Sequence, residues 1–222
     1  MSEREGVTKF DLEYRPSAAL SRATIAELDG WRTILHRLGL IGLDPARYGG
    51  VGYGNVSMRL PPFEAPRGAR RFAISGTQTG GRAVLEPGHY AVVTAYAPAG
   101  NRVVAEGPIA PSSESLTHAM LYDLDPRLRF VFHAHAPEIW RSAARLGLPI
   151  SDPAAPYGTP AMAEAVRALH ARGALPVPGL FAMGGHEDGV VAIAERAEEA
   201  GLVLIRALAR ALTGEARAGE VV

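Results

Sequence analysis

Phe130-Val-Phe-His-Ala-His-Ala136 is the stretch on which the reading of this chain turns. Two aromatic residues around a β-branched one lead into His133 and His135, and a short apolar run of this kind reads as a buried strand. Alternate residues of a strand point to one face, so the two imidazoles look the same way, about 7 Å apart along the chain. Tilted toward each other, they can share one metal ion at about 2.1 Å each. Taken alone, His-x-His fits one packed and one solvated histidine equally well, so the flanking sequence has to decide.

Upstream, Pro111-Ser-Ser-Glu-Ser-Leu-Thr-His-Ala-Met-Leu-Tyr122 has the form of a helix opening. Ser112 or Ser113 is suited to cap it. Glu114 falls in the first turn, where the helix dipole favours a carboxylate. His118 lies one turn further on the same face, as a packing residue or as a partner to the site. Downstream, Pro137 to Leu146 reads as a helix with proline in its first turn. A proline-rich connection from Asp152 to Gly158, a helix from Pro160 to Gly173 and a strand from Val177 to Met183 follow. They lead to Gly184-Gly-His-Glu-Asp-Gly189, a loop that carries His186. An apolar run from Val190 to Ile193 and a long helix from Glu195 to Leu212 come next, and the tail from Thr213 reads as frayed.

Toward the N-terminus, residues 1–17 show no clear period and are read as an arm that packs on the body or on a neighbouring subunit. Ile25, Leu28, Trp31, Ile34, Leu35 and Leu38 recur at three- and four-residue steps, the mark of an amphipathic helix, and Gly39 is placed to stop it. Tyr48-Gly-Gly-Val-Gly-Tyr-Gly-Asn-Val-Ser57 is a glycine-rich loop where backbone turns tightly or approaches something closely. Strands are expected at Val56–Leu60, Arg71–Ser75, Tyr90–Tyr96 and Asn101–Glu106. Gly76-Thr-Gln-Thr-Gly-Gly81 offers N–H groups and hydroxyls to an anion but lacks the lysine and spacing of a nucleotide-binding P-loop. The expected organisation is one α/β domain over residues 21–213, with an N-terminal arm (1–20) and a C-terminal tail (214–222).

Composition narrows the chemistry. Lys plus Arg and Asp plus Glu each number 23, so the formal net charge is zero, without the basic footprint of a nucleic-acid binder. The chain has no cysteine, which removes disulfides and thiolate metal sites. A metal would be held by His, Asp or Glu, and such sites lean catalytic rather than structural. A histidine-only set accepts Zn, Mn, Co, Ni or Fe. The first residues lack the apolar stretch of a signal peptide, and no run of about 18 apolar residues could span a membrane. The expectation is a cytoplasmic protein that acts on a small molecule, away from membranes and nucleic acids.

Five pieces in this order, Gly54-Asn-Val-Ser57, Ile74-Ser-Gly-Thr-Gln-Thr-Gly80, Pro111-Ser-Ser-Glu114, His133-Ala-His135 and Gly185-His186, resemble the class II aldolase/adducin family. The resemblance runs from about residue 22 to about residue 212. Its most specific part is Ser-Ser-Glu, then His-x-His nineteen residues after the Glu, then a third histidine behind a strand. It implies an α/β/α domain around a central, mostly antiparallel sheet. It implies His133, His135 and His186 as ligands of zinc or another divalent ion, with one coordination position open. It implies Glu114 as the catalytic acid/base. Asn55, Ser112, Ser113 and the hydroxyls of the Ser75 to Gly80 loop, namely Ser75 and Thr77 or Thr79, match donors to a substrate phosphate. The implied activity is an aldolase-type lyase that cleaves a small hydroxy-carbonyl compound, phosphorylated or not, through an enediolate. An epimerase or dehydratase on the same metal site, and a non-catalytic adducin-like assembly protein, are the alternatives. A homotetramer with its active site at a subunit interface is implied as well.

The chain departs from the sugar-phosphate aldolases of that family in three places. Its phosphate loop is about two residues longer. Its third histidine is followed by Glu187-Asp188-Gly189 rather than directly by glycine, and the two acids are expected as solvated loop residues or as partners of a ligand. Near Asp152-Pro153, where those enzymes bring a proton-donating tyrosine from a neighbouring subunit, there is none; Tyr157 lies close but matches a different position. The Tyr48 to Gly54 stretch and the N-terminal arm are placed to line or cover the site.

Overall fold

The structure, a computed structural model, describes residues 7–214. In chain order the elements are β1 (Asp11–Pro16), α1 (Arg22–Arg37), β2 (Gly42–Leu43), β3 (Gly52–Tyr53), β4 (Asn55–Arg59), β5 (Phe72–Ser75), β6 (Tyr90–Ala97), β7 (Arg102–Gly107), α2 (Ser115–Leu124), β8 (Phe130–His135), α3 (Pro137–Arg141), α4 (Pro160–Ala171), β9 (Gly179–Ala182), β10 (Gly189–Ala194) and α5 (Ala197–Thr213). Eight strands form one sheet in the order β1-β7-β6-β5-β4-β8-β10-β9, and β2 and β3 make a separate ribbon. Every pairing in the large sheet is antiparallel except that of β1 with β7. This is the α/β architecture with a central, mostly antiparallel sheet that the sequence leads one to expect.

β8 lies inside the sheet, between β4 and β10. Val131 packs with Leu116, Leu121, Met162 and Val166 on the face covered by α2 and α4. Phe132 and Ala134 pack with Ile25, Leu28 and Leu204 on the face covered by α1 and α5. Burial on both faces explains why Phe130-Val-Phe reads as a continuous apolar run rather than an alternating one. Burying a side chain such as Phe132 contributes about 1.5–3 kcal/mol. His133 and His135 continue the row begun by Val131 and so emerge on the α2 side of the sheet.

The structure differs from the sequence expectations at several element ends. Residues 11–16 of the N-terminal arm form β1, parallel to β7. Leu12 and Tyr14 alternate with charged neighbours there, and the strand covers an edge whose backbone groups would otherwise face water. Helix α2 begins at Ser115, with Glu114 in the cap position and no side-chain cap. Instead, Ser112 Oγ accepts from Glu114 N at 3.3 Å and Ser115 Oγ donates to Ser112 O at 2.6 Å, closing the turn ahead of the helix. Helix α3 is regular only to Arg141, with turns from there to Gly147, whose φ of 69° is left-handed. Helix α5 runs to Thr213; of the tail expected to fray, residues 215–222 lie outside the described residues. No helix among the described residues is long and apolar enough to cross a membrane.

Candidate metal centre

Strand register places the first two histidines. His133 stands opposite Asn55 on β4 and Val191 on β10, and His135 stands opposite Gly189. Their ring centres are 5.0 Å apart. His186 arrives on the turn between β9 and β10. A Cβ at Gly185 would stand 2.0 Å from Ala155 O, so only glycine lets the backbone pass this closely. That passage brings the His186 ring to 5.1 Å from His133 and 4.7 Å from His135. One nitrogen from each of the three buried rings lies within 4.8 Å of the others.

The donor set suits a divalent ion. His133 Nδ1 lies 3.2 Å from Val190 O and donates to it, which leaves the lone pair on Nε2. That buried atom has no hydrogen-bond partner among the described residues. A carbonyl holding one ring nitrogen while the other faces a metal is the usual arrangement of a ligating histidine. Burial, reinforced by the neighbouring histidines, holds His133 and His135 well below the ordinary histidine range. Both rings are therefore neutral near pH 7, the form that binds metal.

Glu114, 2% exposed, has Oε1 3.7 Å from His186 Nδ1. The turn that carries it is tied to the long glycine-and-hydroxyl loop, since Thr77 N donates to Ala110 O at 2.9 Å and Gly76 bridges to Pro111. The result is one small polar cleft lined by Gly54, Asn55, Thr77, Ser112 and Ser113, among others. A Cβ at Gly54, where φ is +76°, would stand 3.2 Å from His133 O, so the cleft wall lies directly against β8. Ser75 is not part of it. It is buried, and its hydroxyl accepts from Val56 N at 3.2 Å within the sheet. Thr79 stands on the cleft wall, but its hydroxyl donates to Gly76 O at 2.8 Å. Thr77 is thus the better placed of the two threonines to meet a ligand. His118 is a core residue: Nδ1 is 2.6 Å from Ser57 Oγ, which is 2.7 Å from Tyr122 Oη, and burial pushes the ring down to about 3.

Sequence reasoning expected the Tyr48 to Gly54 stretch near the site but did not single out the side chains that form its rim. Tyr48 packs edge-on against His135 at 4.6 Å between ring centres, and Tyr53 tilts against it at 5.3 Å. Tyr157 stacks on His186 at 4.5 Å, with Lys9 of the N-terminal arm 3.7 Å above its ring. Tyr48 donates to Asp188 Oδ2 at 2.6 Å, and Arg47 joins the same oxygen at 3.1 Å. Asp188 is 3% exposed, so it is a buried anchor rather than a solvated loop residue. The signal that could have found Tyr48 and Tyr53 is their place beside glycines in a loop leading into the Asn55 strand.

The profile of the Class II Aldolase and Adducin N-terminal domain matches residues 43–214. The chain belongs to this family. Its class II aldolase fold recurs in YgbL from Escherichia coli, a proposed aldolase/epimerase/decarboxylase, at 19% identity, covering 86% of this chain and 88% of that one with a TM-score of 0.61. L-fuculose-1-phosphate aldolase from Thermus thermophilus matches at 20% identity over 87% and 93% of the two chains, with a TM-score of 0.59. A sugar-phosphate aldolase from Thermotoga maritima matches at 16% identity over 86% and 94%, with a TM-score of 0.62. No curated protein matches the sequence. Class II aldolases use a divalent metal, and the buried histidine triad is where this member could hold one.

Proposed function

We propose that the protein is a divalent-metal-dependent lyase of the aldolase type that acts on a small hydroxy-carbonyl compound. The observation that carries this is the convergence of three buried histidine nitrogens within 4.8 Å, with the buried Glu114 carboxylate 3.7 Å from one of the rings. In this reading His133, His135 and His186 hold zinc or another divalent ion. Such an ion supplies Lewis-acid polarisation of a carbonyl and its neighbouring hydroxyl. Glu114 takes a proton from the substrate and returns it, shielded from bulk water by its burial. Asn55, Thr77, Ser112 and Ser113 receive the anionic end of the substrate just ahead of α2, where the helix dipole adds to their neutral donors. Ser75 supports that cleft from within the sheet rather than by contact.

The names of two structural neighbours, L-fuculose-1-phosphate aldolase and sugar-phosphate aldolase, favour a sugar phosphate or a related compound and a role in carbohydrate metabolism. The name of YgbL keeps epimerisation and decarboxylation beside C–C cleavage, since each can begin with the same charge developing next to a carbonyl. A homotetramer with the site completed at a subunit interface, a cytoplasmic location and a functional domain over residues 21–213 belong to the same reading. The non-catalytic, adducin-like alternative is disfavoured by a complete ligand set with Glu114 beside it.

The test is the metal content of protein purified without a His tag or added metal. About one divalent ion per chain is expected. None, even after incubation with zinc, would overturn the lyase reading in favour of an assembly role.

A further inference from the structure

A buried guanidinium stands directly behind the glycine-and-hydroxyl loop and takes no part in the reaction above. Arg32, on α1, is 1% exposed, and arginine is almost never so deeply buried unless it is paired. Its partners here are backbone carbonyls. Nη2 donates to Thr79 O and to Gly80 O, both at 2.9 Å, and Nη1 donates to Ala83 O at 3.3 Å. Asp29, one turn earlier on α1, is engaged by Tyr90 Oη at 2.8 Å instead. Burial draws the arginine below its ordinary range, yet a guanidinium stays charged in proteins. The loop it holds includes Gln78, whose φ of 57° is uncommon for a residue other than glycine.

The direction of these bonds matters. The peptide units from Thr79 to Gly81 are trans, and a trans unit sets its N–H opposite its C=O. With both carbonyls turned to Arg32, the N–H groups of Gly80 and Gly81 face the other way. Neither has a hydrogen-bond partner among the described residues. Gly80 is buried and lines the cleft with Asn55, Thr77, Ser112 and Ser113. A buried N–H is nearly always paired, so this one calls for a partner from the cleft, water or ligand. No lysine, arginine or histidine lines that cleft; Arg32 lies one peptide unit behind its wall, where a buried charge is little screened by salt. We propose that Arg32 is a positioning residue for substrate binding: it turns the Gly80 and Gly81 N–H groups toward the anionic end of the substrate and lends positive charge to an otherwise neutral seat. The proposal rests on the reading of this cleft as the anion-receiving end of the metal site and deepens it.

The experiment loads the protein with Co(II) and follows its visible absorption during titration with two probes that share a hydroxy-ketone head. One is neutral 1-hydroxybutan-2-one; the other is 4-hydroxy-3-oxobutylphosphonate, the same skeleton with an anionic end. The phosphonate should perturb the cobalt bands of the native protein at about tenfold lower concentration or less, the worth of hydrogen bonds to a charged acceptor. Arg32→Met should narrow that gap to about threefold or less and leave the titration of the neutral probe in place. Arg32→Lys should fall between, because lysine keeps the charge without the planar set of donors. A merely structural role would weaken both probes alike, so the ratio between them is the readout. If Arg32→Met does not fold, Arg32→Lys carries the comparison. A gap that survives unchanged in the folded variant overturns the role of Arg32 and leaves the cleft and metal readings intact. No gap in the native protein overturns the anion-receiving cleft, and failure of the native protein to take up cobalt overturns the metal reading; this proposal falls with either.

Discussion

The histidine centre and its rim are held in different ways. His133 and His135 sit on an interior strand paired on both sides, where register alone places them. The rim hangs on Tyr48 and Asp188, whose φ values of 52° and 62° are left-handed. Such backbone is uncommon for residues other than glycine and costs about 1–2 kcal/mol each. The hydrogen bond between them, 2.6 Å and shared with Arg47, is what offsets that cost. The contrast teaches that the histidine cluster and the rim around it rest on separate supports. A loop rim can change while the strand-borne histidines stay where they are.

The contrast predicts unequal effects. The largest is expected at Glu114→Gln, which keeps the shape and removes the titratable group. Exchange of the carbon-bound protons of 1-hydroxybutan-2-one into deuterated water, followed by NMR on the metal-loaded protein, should fall about 10²–10⁴-fold. Metal content should not change; undiminished exchange would remove Glu114 from proton transfer.

His135→Ala comes next. Loss of a partner behind a ligand already costs about 10–100-fold in metal affinity, so loss of the ligand should exceed about 100-fold in competition with a chelator. Asp188→Asn, by comparison, should stay within about threefold of the native affinity. If both variants lost metal alike, the rim would belong to the ligand set and the separation would collapse. The same Asp188→Asn variant should lower the unfolding free energy by about 1–3 kcal/mol in urea. Tyr48 and Arg47 lose a buried acceptor that both share, while asparagine tolerates the left-handed backbone. A native urea midpoint would show that the rim is held by something else.

The smallest effect is a pH dependence of the metal-free protein. Burial pushes His118 down to about 3 and holds His133 and His135 well below the ordinary range. Below about pH 6.5 the unfolded chain therefore binds protons that the folded chain refuses. The sign follows: stability is fully present above that pH and is lost as pH falls toward the folded values. Between pH 7 and 6 the loss should be under about 1 kcal/mol per histidine, read as a falling urea midpoint. A flat profile over that interval would mean that these rings are not excluded from protonation.

Much of the centre was legible because its signals are local. His133-Ala-His135 at the end of an apolar run defines both a buried strand and two side chains on one face. Asn55, Ser112, Ser113 and Thr77 were legible as short motifs, and packing then gathered them into one cleft. Ser75 was not, because the role of a strand-end hydroxyl depends on whether a neighbouring N–H claims it, and here Val56 does. Asp188 read as a solvated acid because its partners, Arg47 and Tyr48, lie some 140 residues earlier in the chain. The edge strand Asp11–Pro16 escaped notice for a related reason, since two alternating apolar residues, Leu12 and Tyr14, become a strand only beside β7.

By itself the sequence determined the donor chemistry. With no cysteine, a metal falls to histidines and carboxylates, and the period-2 alternation of β8 turns two of those histidines to the same side. Only the tertiary structure decided what completes and surrounds them. His186 joins because Gly185 lets its backbone pass against Ala155, and Tyr48 packs on His135 while a distant, buried Asp188 holds its hydroxyl. Periodicity along one strand is set by local backbone geometry. The meeting of loops far apart in the chain is set by packing and by individual φ values, which no local pattern encodes.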